Sequence, residues 1–283
     1  MLPPPNLTRP SEVRALLAQL DFHPSRVLGQ NFLIDRNILN ILLDAAELAP
    51  EDRVVEVGPG LGVLTDALLE RVAWVTAIEK DNRLAPYLRE RFAGHPTLTL
   101  IHSDILDCDF VELFPHPGMK LVANLPYAIA ARLLVDLTAT SHPPARIIVT
   151  IQREVADRLG AVPSTKDYGL LSILMQRHYA IRTVKHISPS CFWPAPTVQS
   201  SIVCLVVRET PLGGAADEAG LRHLLRHAFS RRRKTMARSL RDLVVDPLPA
   251  LDAAGIEPTA RAEELPPATW PALWRALGSA LKS

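Results

Sequence analysis

Glycines, carboxylates and amides follow successive apolar segments in the first half of the chain, and together they could hold and modify a ligand. The first cluster is a turn in which glycines alternate, at Gly58, Gly60 and Gly62, directly after an apolar segment with Val54, Val55 and Val57. Glycine has no Cβ, so it permits a tight turn and lets a ligand lie directly against the backbone. The leucines that follow have helical spacing, which places these glycines in a strand-to-helix turn.

Acidic residues follow the next two apolar segments. Glu79 comes 21 residues after Gly58, and a carboxylate there can accept hydrogen bonds from both hydroxyls of a ribose. Asp104, at the end of the following segment, is placed to accept a hydrogen bond from the amino group of an adenine. An Asp at such a position also commonly caps a helix. The series predicts an adenosine-binding half-domain.

The glycine spacing favours S-adenosylmethionine over a dinucleotide. A dinucleotide site expects G-x-G-x-x-G, whose last glycine would fall at Val63, whereas the sequence has it at Gly62. Glu56, two residues before Gly58, is also unusual for a nicotinamide fold. E-x-G-x-G-x-G is typical of S-adenosylmethionine-dependent methyltransferases, whose ligand has no pyrophosphate. A nicotinamide or flavin site and a ligand-free turn are the alternatives.

The tetrapeptide Asn124-Leu125-Pro126-Tyr127 ends the fourth predicted strand and has the groups needed to methylate an amino group on a base. The lone pair of such an amine is delocalised into the ring, so attack on a methyl group requires the nitrogen to become pyramidal. The Asn124 side-chain carbonyl and the Leu125 backbone carbonyl could accept its two hydrogens. Pro126 stiffens the turn and has no N–H to compete. Tyr127 offers a face on which the base can stack. A simple strand-ending turn is the alternative.

An aromatic pair lies in a proline-rich loop before the last strand, at Phe192 and Trp193. A ring on a rigid loop could cover the second face of an extruded base, and we assign this role to Phe192. For Trp193 a hydrophobic plug is an equal alternative.

Positive charge is concentrated in the last third of the chain, although the net charge is only +1. Eight Lys or Arg and no Asp or Glu lie between Ala219 and Arg241, including the unbroken block Arg231, Arg232, Arg233 and Lys234. Such a block can bind RNA phosphates and release counterions. A solvated helix face without a ligand is the alternative.

The elements that must position these groups alternate between strand and helix as far as residue 151. Strands are predicted near 53–57, 74–79, 98–102, 119–123, 146–151, 180–187 and 201–208, and a helix over 35–46. This alternation predicts an α/β fold, a Rossmann-like methyltransferase sheet with parallel strands, and the last two strands form an antiparallel hairpin at one edge. We divide the chain into an N-terminal arm (1–28), a catalytic domain (29–210) and, after a linker, a small all-helical RNA-binding domain (217–283).

Composition limits the cellular setting. The 283 residues are 48% hydrophobic, enough for a large and a small domain. No apolar run approaches the roughly 18 residues of a membrane span, and the N-terminus lacks the pattern of a signal peptide. The three cysteines are widely spaced and offer neither a disulfide framework nor a metal clip. We expect a cytoplasmic monomer that binds no metal.

In this order the motifs resemble the small-subunit ribosomal RNA adenine dimethyltransferases over about residues 26–240. The matching segments are 28–33, 56–62, 77–79, 104–106, 124–127, 152–156, 168–172, 192–200 and 232–235. The chain departs from the family pattern at Arg26, where a basic pair is usual, at Thr197 and Gln199, and at residues 237–238. These departures concern individual RNA contacts rather than the reaction.

The resemblance implies transfer of two methyl groups to N6 of each of two adjacent adenosines near the 3′ end of that RNA, during ribosome biogenesis. It also implies that Asn31 and Leu33 join Gly58, Glu79, Asp104 and Asn124 around S-adenosylmethionine. Two alternatives are a large-subunit rRNA methylase of the antibiotic-resistance type and a mainly non-catalytic assembly factor. A nicotinamide-dependent oxidoreductase is a further rival, which the position of Gly62 disfavours.

Overall fold

The computed structural model describes residues 6–25 and 29–278. Within these ranges the strands are β1 (Phe32–Leu33), β2 (Arg53–Val57), β3 (Trp74–Glu79), β4 (Leu98–His102), β5 (Lys120–Asn124), β6 (Arg146–Gln152), β7 (Tyr179–Ile187), β8 (Phe192–Trp193) and β9 (Ser200–Val207). The helices are α1 (Pro10–Gln19), α2 (Arg36–Ala46), α3 (Val63–Leu69), α4 (Leu84–Arg91), α5 (Phe110–Leu113), α6 (Ala130–Leu137), α7 (Arg153–Gly160), α8 (Leu170–His178), α9 (Glu218–Ser230), α10 (Met236–Leu240), α11 (Leu248–Ala253) and α12 (Thr269–Leu277). Among the residues so described, no helix is long and apolar enough to cross a bilayer.

Seven strands form one sheet in the order β4-β3-β2-β5-β6-β9-β7. The pairs from β4 to β6 are parallel, and β9 is antiparallel to β6. The predicted α/β fold class is therefore confirmed, and each predicted strand agrees with an observed one to within one residue at either end. β7 and β9 are neighbours at the edge, as expected of the last two strands.

The central strands are largely apolar because helices cover both faces of a parallel sheet. Val54 and Val55 in β2, and Leu121 and Val122 in β5, are each at most 1% exposed. The preceding helix α2 begins where the Asp35 carboxylate accepts a hydrogen bond from the Ile38 backbone N–H at 3.0 Å, a normal N-cap.

The strand order reverses direction between β2 and β5, because β3 lies on one side of β2 and β5 on the other. Ligands of open α/β sheets bind beyond the carboxyl ends of the strands at such a switch point. The last residues of β3 and β5 are Glu79 and Asn124, and the glycine turn follows β2. Three of the predicted site motifs therefore lie at one edge of the sheet.

Two features were not predicted from the sequence. The N-terminal arm contains helix α1, and β1 pairs with β8 in a short antiparallel ribbon, with Phe32 opposite Trp193 and Leu33 opposite Phe192. Residues 1–5 of the predicted arm lie outside the described ranges, as do Arg26 and Leu28 of the family motif.

The chain divides into two compact units. The first runs as far as Ala156 and includes Arg182–Val206, and the second comprises Asp157–Ile181 and the chain from Val207 onward. This division differs from the predicted linear boundary near residue 210, since residues 157–181 group with the C-terminal helices. Within the second unit the Tyr168 hydroxyl donates to the Leu265 carbonyl at 2.7 Å, which joins this segment to the C-terminal part.

Candidate cofactor and active site

A cavity of about 300 Å³ opens at the carboxyl edge of the sheet in the first unit. Its lining includes every residue predicted to bind the cofactor and all four residues of the tetrapeptide. These are Asn31, Leu33, Gly58, Gly60, Glu79, Asp104, Asn124, Leu125, Pro126 and Tyr127. The structure thus brings together residues up to 96 positions apart in sequence.

The glycine turn exposes its backbone to the cavity and leaves little room for side chains. Gly58 and Gly60 have φ values of +68° and +61°, in the left-handed region that favours glycine. A Cβ added at Gly60 would lie 3.0 Å from the Phe32 ring. Gly62 serves packing instead, because a Cβ there would lie 2.9 Å from the Phe92 ring.

Glu79, the last residue of β3, lines the cavity beside the glycine turn and is hydrogen-bonded to it. Its carboxylate accepts hydrogen bonds from the backbone N–H groups of Gly60 at 3.1 Å and Asp81 at 2.8 Å. The side chain is only 6% exposed, and burial raises the pKa of the carboxyl above its usual value, while the two N–H donors oppose that rise. The acid is therefore fixed in place before any ligand binds.

Asp104 has the capping role that was the alternative to ligand binding, and it also lines the cavity. One carboxylate oxygen accepts from the Leu106 N–H at 3.0 Å and the other accepts from Lys80 Nζ at 2.6 Å. The hydrogen bond from Lys80 lowers the pKa of Asp104, so the carboxyl is ionised. Each oxygen retains a second lone pair, so the predicted bond to an adenine amino group is compatible with both contacts.

The side chain of Asn124 is oriented by the backbone of Asn31. The spacing of the motifs had given Asn31 no such role. Its Nδ2 donates to the Asn31 backbone carbonyl at 2.9 Å, and Asn31 in turn donates to the Gly29 carbonyl at 3.1 Å. Because a carbonyl can only accept, the Asn124 amide must direct its NH₂ toward Asn31. The side-chain oxygen Oδ1 then lies on the other branch of the amide and is left as an acceptor.

The rest of the tetrapeptide is fixed by neighbouring strands. The Leu125 N–H donates to the Thr150 carbonyl at 3.1 Å, and the Tyr127 hydroxyl hydrogen-bonds Ser200 Oγ at 2.6 Å. Burial raises the pKa of Tyr127, so its phenol is neutral at ordinary pH. The Pro126 ring lies 3.6 Å from the position that a Cβ on Gly58 would occupy. The turn that could present acceptors thus packs directly on the glycine turn.

Glu56 is a buried carboxyl in the cavity lining. In the sequence it served only to distinguish a methyltransferase from a nicotinamide-binding protein. It is 1% exposed and accepts a hydrogen bond from the Thr65 hydroxyl at 2.7 Å. Burial raises its pKa from 4.5 to about 8, and the negative charge of Glu79 adds to the rise. The informative sign in the sequence was an acidic residue inside an otherwise apolar strand.

The structure places Phe192 in the core beside the site. Its ring is 2% exposed and packs in the cluster with Leu33, Ile38 and Ile202, and the stacking role predicted for it stays a prediction. Residues alternate in direction along a strand, so in β8 Phe192 points inward and Trp193 points the other way. Trp193 is half-buried, and the Arg14 guanidinium lies 4.2 Å from its ring centre.

The basic block in the second unit forms the turn after α9 rather than a helix face. Its four residues have different surroundings. Arg231 pairs with Asp242, and Arg232 pairs with Glu263 and donates to the Thr165 carbonyl at 3.1 Å.

Arg233 and Lys234 are exposed and have no ion pair among the described residues. Only these two of the four predicted RNA contacts have side chains free to meet phosphates.

The chain is similar along most of its length to ribosomal RNA-modifying enzymes. The profile of a family described as ribosomal RNA adenine dimethylase matches residues 22–277. A ribosomal RNA small subunit methyltransferase A of Geobacter metallireducens is 40% identical over 89% of this chain and 94% of the relative. A protein with the same name from Clostridium perfringens is 38% identical over 93% of each chain.

Two solved structures are similar over nearly the whole chain. A dimethyladenosine transferase from Plasmodium falciparum superposes with a TM-score of 0.76 at 22% identity, covering 87% of this chain and 98% of that one, which is a likeness of fold. The 23S rRNA methyltransferase ErmE superposes with a TM-score of 0.64 at 30% identity, covering 88% of this chain and all of that one.

Proposed function

The chain belongs to the ribosomal RNA adenine dimethylase family, and we propose that it transfers methyl groups from S-adenosylmethionine to N6 of two adjacent adenosines near the 3′ end of small-subunit rRNA. The observation that carries the proposal is the orientation of Asn124. Its amide nitrogen is occupied by the Asn31 carbonyl, which leaves Oδ1 as an acceptor at the cavity.

The residues of the cavity fit S-adenosylmethionine better than a dinucleotide. Asp104 in the lining is ionised, Lys80 is already paired with it, and Glu79 adds a buried acceptor. A carboxylate in the wall would repel a pyrophosphate, whereas carboxyl oxygens suit a ligand with ribose hydroxyls and a positively charged sulfur. Glu79 would accept from the ribose, Asp104 from the adenine amino group, and the backbone at Gly58 and Gly60 would lie against the ligand.

S-Adenosylmethionine, when bound, supplies an electrophilic methyl group on that sulfur. The contribution of this chain is to position the acceptor nitrogen. Asn124 Oδ1 and the Leu125 carbonyl would accept the two amino hydrogens and favour the pyramidal nitrogen, and Tyr127 would stack on the base. The methylated nitrogen is a strong acid that gives its proton to water, so most of the catalysis is positioning.

The small-subunit RNA is the proposed substrate because relatives named for that activity match at 38–40% identity over about nine-tenths of this chain. The 23S rRNA methyltransferase is 30% identical. We place the reaction on the RNA of an assembling subunit, by a cytoplasmic monomer. The free thiols of Cys108, Cys191 and Cys204 support a reducing compartment.

Within the second unit we assign phosphate contacts to Arg233 and Lys234. Arg231 and Arg232 instead hold the turn, because their guanidinium groups are engaged by Asp242 and Glu263.

Transfer of radiolabel from S-adenosylmethionine to small subunits that lack this modification tests the function. Digestion to nucleosides should yield N6,N6-dimethyladenosine in two adjacent positions, and large subunits should remain unlabelled. Labelling of large-subunit RNA instead, or of no RNA by a protein that binds the cofactor, would overturn the assignment.

A further inference from the structure

The N-terminal segment of residues 6–25, which we call the strap, is part of the cavity described above. Leu7 lines the cavity and is only 4% exposed. With the apolar face of α1 it packs in one cluster against Phe32, Leu61 and Leu84, three further residues of the cavity lining. The motifs of the site begin only at Asn31, so nothing in their spacing had assigned a ligand contact to this segment.

Polar contacts attach the strap to the loop that follows Glu79. Arg83 Nη2 donates to the Leu20 carbonyl at 3.0 Å and to the Asp21 carbonyl, and its guanidinium lies 5.6 Å from the centre of the Phe22 ring. These three partners of the Arg83 side chain all belong to the strap.

A second connection runs through Gln30. Its Oε1 accepts from the Ser25 N–H at 2.7 Å, and its Nε2 donates to the Asp81 carboxylate at 2.8 Å. The Asp81 N–H in turn donates to the Glu79 carboxylate at 2.8 Å. The strap is therefore two hydrogen-bonded residues away from the proposed ribose acceptor.

Helix α1 cannot be stable by itself. It has 10 residues, and Arg9 at its N-cap makes no side-chain capping bond. Isolated helices of this length are marginal in water, so its order depends on packing against the cavity wall. A ligand that contacts both Leu7 and the Glu79 loop would bind the docked strap better than a detached one, and this preference is reciprocal.

We propose that the strap is a wall of the cofactor site, that Leu7 contacts bound S-adenosylmethionine, and that strap docking and cofactor binding strengthen each other. This inference rests on the proposed function, since it takes S-adenosylmethionine as the ligand of the cavity.

Two measurements on the full-length protein test it. The first is trypsin cleavage after Arg14, which is exposed on α1, with and without S-adenosylmethionine. Cleavage within a helix requires local opening, so its rate follows the population of the detached strap. Saturating cofactor should slow this cleavage by about tenfold or more.

The second measurement is calorimetric affinity for S-adenosylmethionine in Leu7→Ala and Arg83→Ala. Both variants should bind roughly threefold to tenfold more weakly, and Arg83→Ala should also speed cleavage after Arg14 in the absence of cofactor. Arg89→Ala is the matched control, since this arginine is exposed on helix α4, which begins directly after Arg83, and it takes part in none of the strap contacts named above. It should change neither quantity.

Unchanged affinity in both variants, together with cofactor-independent cleavage after Arg14, would overturn the inference. If the wild-type protein still binds S-adenosylmethionine and transfers methyl groups in that case, the proposed function stands without the strap inference. A wild-type protein that does not bind S-adenosylmethionine would contradict the proposed function itself.

Discussion

The basic block of the second unit offers a sharp test, because its four adjacent cations have different surroundings. Arg231 and Arg232 are held by Asp242 and Glu263, whereas Arg233 and Lys234 are exposed without an ion pair among the described residues. We expect the double variant Arg233→Ala/Lys234→Ala to lose affinity for RNA and to bind with a weaker dependence on salt.

The magnitude follows from counting free cations. Each neutralised phosphate contributes about 0.7–0.9 to the slope of log K against log salt. Two lost contacts should reduce that slope by about 1.4–1.8 units, roughly half the change that four free cations would give. When salt is raised from 50 to 200 mM, RNA affinity should therefore fall by a factor about ten times smaller in the variant than in the wild type.

Fluorescence anisotropy with a labelled RNA from the 3′ end of the small-subunit rRNA, repeated across a salt series, measures the slope. Arg53→Ala/Arg89→Ala is the matched control, because it removes the same charge from exposed positions of the first unit. This control should leave the slope unchanged, and S-adenosylmethionine affinity should be the same in every variant, since none of the substituted residues lines the cavity.

The complementary pair, Arg231→Ala/Arg232→Ala, should lower the melting temperature while changing the slope by less than half a unit or so. Arg232 also donates to the Thr165 and Lys166 carbonyls, so its removal leaves several polar groups unpaired. Equal slope changes for the two pairs, or a larger change for Arg231 and Arg232, would refute the division of roles.

Four further substitutions test the first unit. Asn124→Ala should retain cofactor affinity within about tenfold in calorimetry but lose most turnover, because the acceptor is needed when the amine becomes pyramidal, and a raised KM at normal kcat would contradict this. Glu79→Ala should weaken S-adenosylmethionine binding by roughly 1.5–3 kcal/mol, the scale of hydrogen bonds to a charged group, and an unchanged calorimetric affinity would remove Glu79 from the ribose. Glu56 has its pKa raised from 4.5 to about 8, so the folded state retains a proton that the unfolded state loses and stability falls as pH rises through that window. Glu56→Gln should therefore be more stable than the wild type in urea at pH 8.5, by at most roughly 5 kcal/mol, while the difference becomes small near pH 4.5; a constant difference across this range would count against the shift. Phe192→Ala should cost about 3–5 kcal/mol of unfolding free energy as a buried aromatic, and near-wild-type stability with reduced methyl transfer would instead support the predicted stacking role.

Much of the fold and of the cofactor site follows from local patterns in the sequence. The apolar β-branched run before Gly58 predicts a buried strand, and alternating glycines predict a turn that exposes its backbone. Because parallel strands bring their carboxyl ends to one edge, the order Gly58, Glu79, Asp104 and Asn124 along the chain places those residues on one cavity. Periodicity and backbone sterics act over a few residues, so a single sequence is sufficient to show them.

The tertiary structure decided which side chains are free to contact a ligand or RNA. Phe192 lies inside the core because Leu33, far away in sequence, pairs with it across a ribbon only two residues long, too short to show any periodicity. Arg232 is occupied because Glu263 folds back onto it, and Asn124 is oriented by a backbone carbonyl at Asn31. Burial, ion pairing and amide orientation depend on partners brought together only by folding, so residues adjacent in the chain, such as Arg232 and Arg233, can have opposite roles.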